Sequence, residues 1–197
     1  MATITLENTN NYKEELRQKT AKPMLWIGLV SIVMFFAGLT SAVIVSKGTA
    51  QWESVSIPNT FLLSTIFIIL SSLTFFLGEK MVKNNDLNKS KIMITATMLL
   101  GVLFSITQYF AWKELYSNGV VWAGSESSAA GSYFYTLTAL HLIHLLGGLI
   151  SLTVVLVKSV KERYNSEKML GVELSSTYWH FLTILWIYLY LFLIFIA

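Results

Sequence analysis

The 197-residue sequence contains no cysteine, which removes disulfides, thiolate nucleophiles and cysteine-ligated zinc or iron–sulfur centres together. Its absence is silent on compartment. Proline occurs only as Pro23 and Pro58, so long helices can run without an internal break. Charge is scarce as well: 13% of residues are Asp, Glu, Lys or Arg, where soluble domains carry about 25%. Against these absences stands 54% hydrophobic content, more than a soluble chain of this length can hide in a core, so much of it must face lipid. The net charge of +3 is small, and no nucleic-acid partner is expected. No apolar run precedes Met24, so no secretory signal is expected, and residues 1–23 read as a short polar tail with an amphipathic turn around Tyr12 to Lys19.

A hydrocarbon core about 30 Å thick needs about 20 apolar residues of helix. Five segments satisfy this, at about 24–46, 58–78, 92–112, 133–157 and 174–197, and none holds Asp, Glu, Lys or Arg away from its ends. Pro23 suits the start of the first. The expected fold is therefore an all-α integral membrane protein, a five-transmembrane-helix bundle over residues 24–197. The basic residues set its orientation. Lys13, Arg17, Lys19 and Lys22 precede the first span, Lys80, Lys83, Lys89 and Lys91 follow the second, and Lys158, Lys161, Arg163 and Lys168 follow the fourth. Only Lys47 and Lys113 lie on the other side. The positive-inside rule then puts the N-terminus in the cytoplasm and the C-terminus outside, as in a bacterial inner membrane. Trp52, Trp112, Tyr116 and Trp122 fall at the outer ends, where interfacial anchors belong. The outer loop at 113–132, rich in Gly and Ser, reads as flexible or docked on a neighbour.

Each span carries a stripe of small or polar residues at helical spacing: Gly28, Ser31, Phe35, Gly38 and Ala42 in the first; Thr60, Ser64, Phe67, Ser71 and Gly78 in the second; Thr97, Gly101, Ser105, Gln108 and Trp112 in the third; Thr138, His141, His144, Gly148 and Ser151 in the fourth; Ser176, His180, Thr183 and Ile187 in the fifth. Small residues let helices approach closely in lipid, and hydroxyl, amide and imidazole groups bond across the contact. All five stripes are expected to face one another.

The three histidines, His141, His144 and His180, are the ionisable groups inside the spans. Such groups are costly in hydrocarbon unless packed or bonded, and they mark the working face of a bundle. Two readings compete. Metal or haem ligation needs them close together. Yet at about 1.5 Å of rise per residue, His141 lies about 12 Å, His144 about 16 Å and His180 about 21 Å below the outer surface. His141 and His180 are then poorly placed to share a haem, whereas His144 and His180 could meet. The other reading makes them neutral groups bonded between helices or to lipid head groups. A proton or ion pathway usually places Asp or Glu inside a span, and here Glu79 and Glu173 stand at inner ends while Glu53, Glu114 and Glu126 fall in outer loops. No catalytic triad or carboxylate pair is available. Gln108 is read as an interhelical hydrogen-bonding residue. Tyr178, Trp179 and Trp186 are read as packing and interface residues, and Lys158 as a snorkelling phosphate contact at the inner end of the fourth span. A stand-alone membrane haem protein or transporter remains the alternative of another class.

Several motifs in order resemble subunit III of haem-copper terminal oxidases, the cytochrome c oxidase family. Tyr178, Trp179, His180, Phe181 and Trp186 follow that family's YWHF…W pattern. Gly131, Ser132, Phe134, Thr138, His141, His144 and Gly148 fit its G-S-x-F…T-x-x-H-x-x-H…G run. Gly101 with Gln108, and Phe35, Phe36 and Gly38, match two further segments. Many members have seven helices, and this chain corresponds to the last five, as in shorter bacterial subunits. Where many members have a Glu shortly before the paired phenylalanines, this chain has Ile32, and the acidic residue after YWHF is replaced by Thr183. Roles resting on those carboxylates do not transfer. The resemblance implies a non-redox subunit in aerobic electron transport. It would carry no cofactor, hold phospholipids, pack on the catalytic subunit I with subunit II and other respiratory subunits nearby, and help sustain proton uptake. Haem and copper would sit in those partners. A quinol-oxidase or nitric-oxide-reductase-associated subunit is the alternative within the same resemblance.

Overall fold

The computed structural model describes residues 2–48, 52, 55–124, 128–161 and 169–196, with side chains in the first helix described at Leu16 and from Lys19 onward. Arg163, Lys168, Glu53, Glu126 and the tip of the outer loop at 125–127 lie outside the described residues, as do the side chains of Lys13 and Arg17. The described residues form five helices and no strand: α1 (Ala2–Ser46), α2 (Thr60–Lys83), α3 (Leu87–Ser117), α4 (Ala129–Val160) and α5 (Leu170–Ile196). Each contains a stretch long and apolar enough to cross a membrane.

α3 and α4 outrun their apolar spans by about a turn at both ends, as do α2 at its C-terminal end and α5 at its N-terminal end, because charged and polar residues there still support helical bonding. Glu79 pairs with Lys83 at 2.7 Å across one turn of α2. Ser128 caps α4, its hydroxyl accepting from the Gly131 N–H at 3.1 Å. Between α2 and α3 the chain reverses through Asn85 at φ 60°, a left-handed position that Asn tolerates. The Asp86 N–H bonds back to Met81 and the Asn85 N–H to Val82, which satisfies carbonyls at the end of α2.

Pro23 does not begin a helix. It lies inside α1, which continues from Ala2. A proline removes one i→i−4 bond, and the bond lost here is the one Lys19 would accept. Lys19 and Pro23 are both exposed, so the freed carbonyl falls where solvent or head groups can satisfy it.

Four helices close a ring in chain order, α2 on α3, α3 on α4, α4 on α5 and α5 back on α2. Apolar residues fill it at seven-residue steps along α2, with Phe61, Ile68, Phe75 and Val82 all buried. α1 stands outside the ring. Among the described residues its backbone approaches α4 and α5 closely but neither α2 nor α3. Its small-residue stripe does not face the bundle as expected: Gly28, Ser31, Phe35 and Gly38 are exposed, and Ala42 alone is half-buried. The buried face is instead Leu29, Phe36, Thr40 and Val43. Larger side chains reach across to α4 and α5 there, while the glycines find nothing within 4 Å of a would-be Cβ.

The polar interior of the bundle as candidate functional site

Trp179 on α5 is the point where all four ring helices meet. Its ring is fully buried. A Cβ added to Gly101 of α3 would stand 2.7 Å from the indole, and one added to Gly148 of α4 would stand 3.2 Å from it. The Gly101 position therefore requires glycine for close approach, and Gly148 leaves room for a Cβ only if its neighbours give by a few tenths of an ångström. The indole N–H donates to Ser71 Oγ of α2 at 2.8 Å. The sequence suggests this arrangement only through two glycines lying on stripes near a tryptophan.

α2 supplies a column of hydroxyls to its neighbours. Ser64 Oγ accepts from Gln108 Nε2 at 2.8 Å, an interhelical bond to α3. Thr65 Oγ1 accepts from the Trp186 indole at 3.0 Å. Thr74 Oγ1 and Thr97 Oγ1 are 2.9 Å apart. Ser72 Oγ and His180 Nδ1 share a hydrogen bond of 2.6 Å. The α4–α5 seam adds Ser151 donating to Ser175 at 3.0 Å. On the α3–α4 seam the Trp112 indole donates to Thr138 at 3.1 Å. Interhelical bonds of this kind are worth on the order of 0.6 kcal/mol each and up to roughly 1.7. Trp112 and Trp52 therefore turn partly into the bundle, whereas Tyr116 and Trp122 are exposed at its rim.

The three histidines point into three different seams. His141 is fully buried, its ring 4.9 Å from that of Trp186 and 6.1 Å from that of Phe104. Among the described residues neither of its nitrogens has a hydrogen-bond partner, and Gln108 Oε1 lacks one too. His144 bonds the Leu140 carbonyl of its own helix at 2.7 Å through Nδ1 and meets Phe36 of α1 edge-on. Its backbone carbonyl accepts from the Tyr178 hydroxyl at 3.1 Å. His180 faces α2, between Phe75 and Phe76. The meeting of His144 and His180 that the depth count allows does not occur. Among the described residues, no three His, Asp or Glu side chains converge so as to hold a metal ion. Lys158 is half-buried beside a shallow groove of about 290 Å³ that Thr153, Val154, Val157 and Lys161 also line.

In this arrangement interior hydroxyls, indoles and imidazoles bind the helices to one another. Known proteins fit it. A chain from Corynebacterium diphtheriae named cytochrome c oxidase subunit 3 is 29% identical, over 83% of this chain and 82% of its own length. Mycobacterium tuberculosis has a probable cytochrome c oxidase subunit 3 that is 30% identical over 86% of this chain and 85% of its own. The cytochrome c oxidase subunit 3 of Bacillus sp. (strain PS3) is 26% identical over 84% and 80%. A family model described as cytochrome c oxidase subunit III matches residues 8–197, all five helices and the polar interior just described. On that match the chain belongs to the cytochrome c oxidase subunit III family.

Proposed function

We propose that this chain is the non-redox third subunit of a haem-copper terminal oxidase, packed on a catalytic subunit I that carries the haem and copper. The single observation that carries this reading is family membership across 8–197. It agrees with an interior built for packing. The finer parts of the proposal are an inner-membrane location with the basic end in the cytoplasm, phospholipid contact through Lys158 and the rims of the histidine seams, and support of proton uptake during turnover. Among the described residues, the carboxylates with printed partners stand at the helix ends: Glu114 accepts from Thr60 at 2.6 Å at the outer end, and Glu79 and Glu173 are ion-paired at the basic end.

The test is deletion of the chain from the intact oxidase. Haem and copper content of the remaining complex should be unchanged, and the initial rate of oxygen consumption near normal. Activity should then decay over repeated turnovers, and native mass spectrometry should show fewer retained phospholipids. Complete loss of haem from subunit I would make the chain an assembly factor instead. Unaltered rate, lifetime and lipid content would leave it a docking element.

A further inference from the structure

The seam between α2 and α5 is polar towards the basic end, where Glu79 and Ser176 lie, and holds His180 further in. At its mouth is a pocket of about 200 Å³, lined among others by Lys22, Glu79, Glu173 and Thr177. Its rim is charge-balanced, Lys22 pairing with Glu173 at 2.7 Å and Lys83 with Glu79 at 2.7 Å. One step further in, Ser176 is buried, and its hydroxyl faces the Glu79 carboxylate. One turn above Ser176 on the same helix is His180, whose Nδ1 is bonded to Ser72 while its buried Nε2 has no partner among the described residues.

A buried polar atom left without a partner costs about 1–3 kcal/mol. Here His180 Nε2 is such an atom, one helical turn in from Ser176, and the Glu79 that Ser176 faces lines a pocket larger than the roughly 30 Å³ share of one water. A water needs two to four polar partners, and Glu79, Ser176, Thr177 and His180 supply them.

We infer that this seam is a hydrated notch: water enters from the basic end past Glu79 and Ser176 and reaches His180 Nε2, roughly 10 Å inside the hydrocarbon boundary at about 1.5 Å per residue. The ligand is water, and the notch gives His180 proton exchange with that aqueous side. The inference rests on the bundle crossing a membrane and not on the identity of the catalytic partner.

Absence of native cysteine makes the test direct. Ser176→Cys and Ser72→Cys are near-isosteric probes along the notch, and Thr177→Cys marks its mouth. Lipid-facing Leu73→Cys is the depth-matched control, Ser64→Cys lies buried beyond the notch, and Asn85→Cys in the α2–α3 turn defines the basic side. Each variant is assembled in the complete oxidase in sealed vesicles and treated with a charged, membrane-impermeant thiol reagent from either side. Labelling of this chain is read by mass. Because the thiolate is the reactive form and needs water, Ser176→Cys and Ser72→Cys should react roughly tenfold or more faster than Leu73→Cys. They should do so only from the side that labels Asn85→Cys, while Ser64→Cys stays unreacted. Rates at Ser176→Cys no faster than at Leu73→Cys overturn the notch, whether or not Thr177→Cys reacts. Equal labelling at Ser64→Cys overturns it too, since the reagent would then be reporting a loosened bundle. Labelling of both deep probes from the opposite side alone would place the opening at the wrong end.

Discussion

α1 and α2 have similar apolar spans, but they are held by opposite means. α2 offers a hydroxyl at nearly every turn, and Gln108, Trp179, Trp186 and His180 on α3 and α5 bond to it. α1 is held by a seam of Leu29, Phe36 and Val43, and by bonds towards the two ends of its apolar span: Lys22 to Glu173, Thr40 with the Tyr188 hydroxyl at 3.1 Å, and Lys47, just past the helix, to the Ile196 carbonyl at 3.1 Å. In lipid, apolar burial alone gives helices little reason to associate, so close packing and polar bonds decide. By that measure α2 belongs to a fixed ring, and α1 is an outrigger whose opposite face is open.

Four substitutions would break or sharpen this contrast. Trp179→Ala should cost most, about 3–5 kcal/mol, because it empties the centre of the ring and strands Ser71. Thermal unfolding of the purified complex measures it, and a loss no greater than that of Phe36→Ala would put the two helices on equal footing. Gly101→Ala drives a Cβ to 2.7 Å from the buried indole, and overpacking of this kind costs about 1–3 kcal/mol. The same melting experiment reads it, with Gly28→Ala as the control on α1.

Gly38→Ala in α1 should act in the other direction. No atom lies within 4 Å of its Cβ position, and replacing a mid-helix glycine by alanine stabilises by roughly 0.5–1 kcal/mol. A gain in the isolated chain that becomes a loss in the assembled oxidase would identify this face as one covered by a partner. Lys22→Met should matter least. The pair to Glu173 has a largely exposed lysine, and such pairs contribute about 0–1 kcal/mol and weaken with salt. A large, salt-independent loss would mean that α1 depends on that end far more than its apolar seam suggests.

Much of this was legible before the structure. The five spans follow from apolar run length, and the stripes of α2, α3 and α4 predict buried Ser64, Ser71, Thr97, Gly101, Gln108, Thr138, His141 and Gly148 because polar and small residues have no other use at helical spacing in lipid. The same rule fails on α1. Small residues there leave room rather than fill it, and spacing alone does not say whether the room faces a helix of this chain. Pro23 misled for a related reason: a proline marks a helix start only when nothing helical precedes it, and a polar, exposed stretch can stay helical without an apolar period to announce it. The seams chosen by the histidines were out of reach, since a depth count fixes height but not azimuth. Ser176 and Glu79 looked like an ordinary stripe residue and an ordinary inner-end acid until α2 and α5 were seen to lie side by side.

The indoles along α2 have a consequence for proton transfer. An indole nitrogen can give a hydrogen bond but cannot accept one. Ser71 and Thr65 each end on such a nitrogen, from Trp179 and Trp186. A proton hopping inwards from hydroxyl to hydroxyl would reach Trp179 and find no lone pair to land on. The column that fastens the helices is thus closed to proton transfer where Ser71 and Thr65 meet the indoles, so those two contacts bind α2 to α5 without relaying a proton.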